Sequence, residues 1–82
     1  MHHELKINEP YIKAKQAGEK PFEIRYDDRG YQKGDTVSYK ASESRLAYKK
    51  YPGVYEITYV TSFAQKENWV VFGEKLIETE QQ

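Results

Sequence analysis

The sequence contains no cysteine, which excludes a disulfide framework and any thiolate metal site. It has no excess of one charge either. Thirteen lysines and arginines balance thirteen aspartates and glutamates, which argues against a strongly basic, non-specific nucleic-acid coat and leaves only a local basic patch open. No apolar run approaches transmembrane length and the first residues carry no apolar signal region. A cytoplasmic location is therefore the default expectation, with no membrane partner. Catalytic signatures are also missing. There is no phosphate-cradling glycine loop, no H-E-x-x-H, and the two histidines stand together at His2 and His3. That pair gives no support to a Ser/His/Asp arrangement and should point to opposite faces of a strand, so no metal site is expected. Internal repeats and low-complexity segments are absent too.

What is there is aromatic. Eight tyrosines, three phenylalanines and one tryptophan in 82 residues supply most of the core of a single small domain. A tyrosine buries its ring while its hydroxyl stays wet, which suits a thin barrel wall. Leu5 and Ile7 alternate with Glu4 and Lys6 in a first short strand, with His3 on the Leu5 face as a satisfied core or edge residue. Asn8-Glu9-Pro10 reads as a helix start. Tyr11, Ala14 and Ala17, with Ile12 beside them, make its narrow apolar face, while Lys13, Lys15 and Gln16 face out. Gly18 stands where a left-handed cap is needed.

The stretch Gly18–Arg29, GEKPFEIRYDDR, organises the chain. It runs from the helix stop through Lys20 into a strand at about Pro21–Tyr26 and leaves on a charged turn. Phe22, Ile24 and Tyr26 alternate with Glu23 and Arg25, so the apolar set is expected on the core and the Glu/Arg pair on the other face. Lys20 and Arg25 flanking Glu23 could read a base edge or a phosphate. The plainer reading is a solvated ion pair of little energetic weight.

Further along, Val37, Tyr39 and Ala41 alternate with polar partners as a half-buried strand. Ser42–Gly53 interleaves Arg45, Lys49 and Lys50 with Tyr48 and Tyr51. That is the composition of a nucleic-acid-binding loop, or of a solvated loop whose tyrosines lean on the barrel. Val54–Val60 is β-branched and aromatic throughout and should be the central strand, with Tyr55, Ile57 and Tyr59 shielded. After a connector at Thr61–Asn68, Trp69–Phe72 should close the barrel. Trp69 at its mouth is either a base-stacking ring or a core or rim residue. The last residues, 78–82, lack apolar anchors and should fray from a single domain at 1–77.

The pattern G-x-K-x-F-E-I-R from Gly18 to Arg25, followed by Asp28-Arg29 and by Gly34-Asp35, resembles the activating-signal-cointegrator homology (ASCH) domain. So do the opening His3–Ile7 and the closing Gln65-Lys66-Glu67 before Trp69–Phe72. The likeness spans residues 3 to 74 and is greatest to a small bacterial and phage branch of unknown function. It implies a PUA-like fold, in which Gly34-Asp35 is a tight turn launching a strand. It also implies a groove between helix and strands, of a kind often used for RNA or modified bases. By position that groove would be lined by Lys20, Glu23, Arg25 and Arg29. Some ASCH-like proteins are amidohydrolases on acetylated cytidine that use a lysine, a threonine three residues later and a later glutamate. Lys20 matches the lysine, but Glu23 replaces the hydroxyl nucleophile, so Lys20 and Glu23 would be catalytic only in a changed chemistry.

The resulting expectation is an α+β fold: a small PUA-like, mixed, mostly antiparallel β pseudo-barrel with one main helix. The expected function is binding of nucleic acid, RNA by preference, or of a nucleotide, through Lys20, Glu23, Arg25, Arg29 and Trp69. No cofactor is expected. The alternatives are an amidohydrolase acting on an acylated nucleoside, and a protein-interaction module that binds a partner through a barrel edge or the Ser42–Gly53 loop.

Overall fold

A computed structural model describes residues 1–46 and 49–78. Its elements run β1 (His2–Ile7), α1 (Glu9–Gln16), β2 (Phe22–Tyr26), β3 (Thr36–Ala41), a 3₁₀ turn at Ser44–Leu46, β4 (Val54–Thr61) and β5 (Trp69–Glu78). The five strands form one curled sheet in the order β1-β3-β4-β5-β2. Only β1 and β3 run parallel, and α1 supplies the crossover side of that unit. The fold is α+β, a mostly antiparallel pseudo-barrel with one helix. β4 lies at the centre of the order, as its β-branched and aromatic run requires. β5 reaches Glu78, which pairs with Val54. The rest of the expected frayed tail, 79–82, lies outside the described residues, as does Tyr48.

The core is built from inward positions of the strands: Leu5 and Ile7, Val37 and Tyr39, Tyr55 and Ile57, Val70 and Phe72, with Ile12 from the helix and Tyr31 from the loop before β3. His3 is buried on the Leu5 face, where its Nε2 lies 2.9 Å from Asp35 Oδ2. Asp35 also accepts from the Gln32 amide, so the turn at Gly34, whose φ is +94°, is tied to the first strand.

Three expectations are corrected. The helix buries Ile12 and Lys15, not Tyr11, Ala14 and Ala17. Tyr11 is exposed. Asn8 makes no side-chain cap, because its Oδ1 accepts from Ser42 Oγ instead. On β4, Tyr59 is 67% exposed rather than shielded. The cause is a register shift between Ile57 and Tyr59, a bulge that places an extra residue opposite β5 and turns the following side chain over. Gly73 makes room for it, since a Cβ there would come within 3.1 Å of Thr58 Oγ1. The third correction concerns β2. Its apolar residues Phe22, Ile24 and Tyr26 lie on the outer surface, while Glu23 is 4% exposed and points into the barrel.

Residues 49–51, the returning arm of the long loop, fold back on β3. Ala41 N donates to Lys49 O and Tyr51 N to Tyr39 O, and Tyr51 packs against the core.

Candidate functional site

β1 and β2 are the two ends of the sheet order. Among the described residues no backbone hydrogen bond joins them, so the barrel has an open seam. A groove of about 900 Å³ lies along it, lined by Glu4–Ile7 of β1 and Glu23–Tyr26 of β2. Consecutive residues of both strands reach it because it is bounded by two unpaired strand edges. Side chains cross the seam in place of a ladder. Arg25 Nη2 donates to Lys6 O at 2.9 Å and Arg29 Nη1 to Glu4 O at 3.3 Å.

Local structure delivers these side chains. After α1, Gly18 adopts φ +79°, the left-handed conformation that glycine takes most easily. The chain then reverses, and Lys20, held extended by the proline that follows it, enters beside β2. Lys20 Nζ donates to Phe22 O and to Glu23 Oε2, both at 3.1 Å. At the far end of β2, Asp27 Oδ1 accepts from the amides of Gly30 and Tyr31, an Asx turn that turns Arg29 back over β1. Trp69, the first residue of β5, pairs with Tyr26, and their rings meet edge to face with centroids 6.1 Å apart.

All five sequence-predicted residues, Lys20, Glu23, Arg25, Arg29 and Trp69, line this one groove. They do not play equal parts. Glu23 is closed off from solvent by the cations around it, with Lys15 Nζ at 2.8 Å, Lys20 Nζ at 3.1 Å and Arg25 Nε at 3.0 Å. With its lone pairs engaged, Glu23 holds Lys20 and Arg25 in place. Lys20, Arg25, Arg29 and the Trp69 and Tyr26 rings line the groove around it.

Residues 2–74 match the family described as Domain of unknown function (DUF3850). The chain belongs to that family. No curated protein matches it. Among the described residues of this DUF3850 domain, no helix is long and apolar enough to cross a membrane, and no group of three or more His, Cys, Asp or Glu could hold a metal ion.

Behind the groove lies a buried ion cluster that sequence reasoning missed. Lys15 reaches inward from α1 and pairs with both Glu23 and Glu74. It also donates to the carbonyls of Lys20 and Phe22, each at 3.3 Å. Tyr39 OH donates to Glu74 Oε1 at 2.6 Å. Among the described residues no buried side-chain polar atom lacks a partner, as a low-dielectric cluster of this kind requires. Burial pushes the Tyr39 hydroxyl far above its ordinary range, and the neighbouring Glu74 charge adds to it.

The two carboxylates are pushed apart. Burial presses Glu23 upward, but the Lys15 hydrogen bond and charge, with Arg25 and Lys20, outweigh it and hold the carboxyl below its ordinary value. Burial also presses Glu74 upward, and there it prevails. Lys15 and Tyr39 offset only part, and the Glu23 charge adds to the rise. A carboxyl raised by the fold binds its proton more tightly folded than unfolded. The native state therefore gains stability as pH falls from neutral through the raised value, and the gain is complete below the ordinary 4.5. Glu23 and Asp35 act in the opposite sense: their depressed carboxyls contribute stability above their ordinary values, lost as pH falls through the depressed ones. Thermal melts should therefore show Tm rising between neutrality and about pH 5, then falling below about pH 4. Glu74→Gln should remove the rise and keep the acid fall. A wild-type Tm that falls steadily from pH 7 would contradict the raised Glu74.

Proposed function

We propose that this domain is a PUA-like nucleic-acid-binding module that seats a nucleotide of single-stranded RNA in the seam groove. The observation that carries the reading is local charge. Lys6, Lys20, Arg25, Arg29 and Lys40 line the groove against Glu4, Glu23 and Asp28, in a protein whose net charge is zero. A cationic cleft in a neutral chain favours an anion at that place alone. Arg25 and Arg29 now bond neutral carbonyl oxygens, and a phosphate is a stronger acceptor for a guanidinium. The exposed Tyr26 and Trp69 rings offer a base a stacking surface. The preference for RNA over DNA rests on the resemblance to ASCH domains.

The amidohydrolase reading finds less support. Its hydroxyl nucleophile would stand where Glu23 stands, and that carboxylate is engaged by three cations.

The test is fluorescence anisotropy with a labelled single-stranded RNA. Two phosphate contacts should weaken binding about sevenfold between roughly 50 and 200 mM salt, and Arg29→Ala should lower the logarithmic salt slope by about 0.7. Arg29 is exposed and its removal leaves the core untouched. Equal binding by wild type and Arg29→Ala, with the same salt slope, would overturn the proposal.

A further inference from the structure

Three lysines stand side by side across the sheet. The register places Lys6 of β1 opposite Lys40 of β3, and Lys40 opposite Lys50 of the returning arm. Their strand neighbours Leu5, Ile7, Tyr39 and Ala41 are buried, so by alternation the Lys6 and Lys40 side chains point outward. Lys50 comes to the same side, where its Nζ lies 3.3 Å from Glu4 Oε2. Adjacent strands are about 4.8 Å apart, so the row covers roughly 10 Å and runs away from the seam.

Like charges directly opposite each other on neighbouring strands are destabilising. Among the described residues a single carboxylate offsets these three cations. Glu4 pairs with Lys40 at 3.4 Å as well as with Lys50, and the Lys50 hydrogen bond, with that of Lys40, holds its carboxyl below the ordinary value. No ion pair among the described residues reaches Lys6. The row therefore keeps an excess of positive charge at a place where strand pairing alone disfavours it.

We infer that the lysine row is a second phosphate site, which takes the backbone of the RNA strand as it leaves the seam groove. The inference rests on the RNA reading of the groove and adds the path of the strand. Continuity selects that occupant. Glu4, Lys6 and Lys40 line the groove, so the row starts at its wall. Lys50 stands outside the groove and, with Glu4, lines a second cavity of about 430 Å³. A phosphate supplies the negative charge that the row lacks. Lysine meets it as a point charge, without the fixed fork that Arg25 and Arg29 bring to the seam. The row thus holds the continuing backbone whatever its bases.

Fluorescence anisotropy with labelled tri- and octauridylate tests the path, with circular dichroism to verify folding. The trinucleotide fills the groove alone, and the octanucleotide also reaches the row. Wild type should bind the longer RNA more tightly, with a logarithmic salt slope steeper by about 0.7 for each added phosphate contact. Lys50 is 70% exposed, so Lys50→Gln should fold normally. It should lower the octanucleotide slope by about 0.7 and leave trinucleotide binding unchanged. Lys50→Glu should weaken the octanucleotide further. Lys49→Gln, one residue away and off the row, should change neither RNA. Octanucleotide binding that both Lys50 variants leave unchanged would overturn the inference while the groove reading stands. An equal loss in Lys49→Gln would also overturn it, because diffuse charge and not the row would then be responsible. A wild type that binds neither RNA would overturn the groove reading, and this inference with it.

Discussion

Replacing Glu23 by alanine should lower the Tm by at least about 12 °C. The carboxylate is the shared partner of Lys15, Lys20 and Arg25, and Lys15 is buried with it. Removing one member of a buried pair leaves an uncompensated charge and costs about 3–5 kcal/mol. Each kcal/mol shifts the Tm of a domain of this size by about 4–8 °C. Glu23→Gln keeps the shape and some hydrogen bonding and should lose less. Thermal melts by circular dichroism are sufficient for the comparison. A change of only a degree or two for Glu23→Ala would mean that the side chain lies off the barrel interior and that β2 is turned over.

Lys15→Met should be as damaging, again by about 3–5 kcal/mol. The methionine fills the volume of the lysine stem, so the loss reports the charge and not a cavity. Glu74 would keep only the Tyr39 hydroxyl, and Glu23 would keep the two more exposed cations. Both carboxyls should rise, which enlarges the gain of stability as pH falls from neutrality and weakens the loss in acid. The triple variant Lys15→Met/Glu23→Leu/Glu74→Leu should recover a good part of the loss, since an apolar replacement of a whole buried ion cluster is often neutral or stabilising. A triple variant no more stable than Lys15→Met would show that the cluster contributes net stability and not merely a balanced set of costs.

These two substitutions mark where the sequence was hardest to read. Alternation identified β2 as a strand, but the apolar half of a strand normally faces the core, and here it is reversed. Beside Ile12, the space between α1 and the sheet takes the Lys15 stem and its carboxylates, so the charged half of β2 turns in. The signal lay in β5, where Val70, Phe72 and Glu74 share one parity and the carboxylate takes the next inward place. Lys15, Tyr39 and Glu74 come from three distant segments, and no local pattern ties them together. Tyr59 escaped for a similar reason, because the bulge that turns it out depends on Gly73 across the ladder. The architecture was more legible. Five β-rich segments and one short helix leave few alternatives to a small curled sheet. Lys20, Arg25 and Arg29 were also readable, because a proline-set entry, an alternating strand and an Asx turn are local devices that aim neighbouring residues the same way. That they meet across an open seam depends on β1, and only the fold discloses it.

The central claim is that the seam groove holds the ligand. Chain-wide ¹⁵N–¹H spectra titrated with a short single-stranded RNA test it most directly, since the domain has one indole, at Trp69, as a reporter. The account predicts saturable shifts at the Trp69 indole, at the Arg25 and Arg29 Nε–H signals and along Glu4–Ile7, with little change at the buried ends of β3 and β4. Shifts confined to the residue 42–53 loop, with the Trp69 indole and both arginines unmoved at saturation, would contradict it.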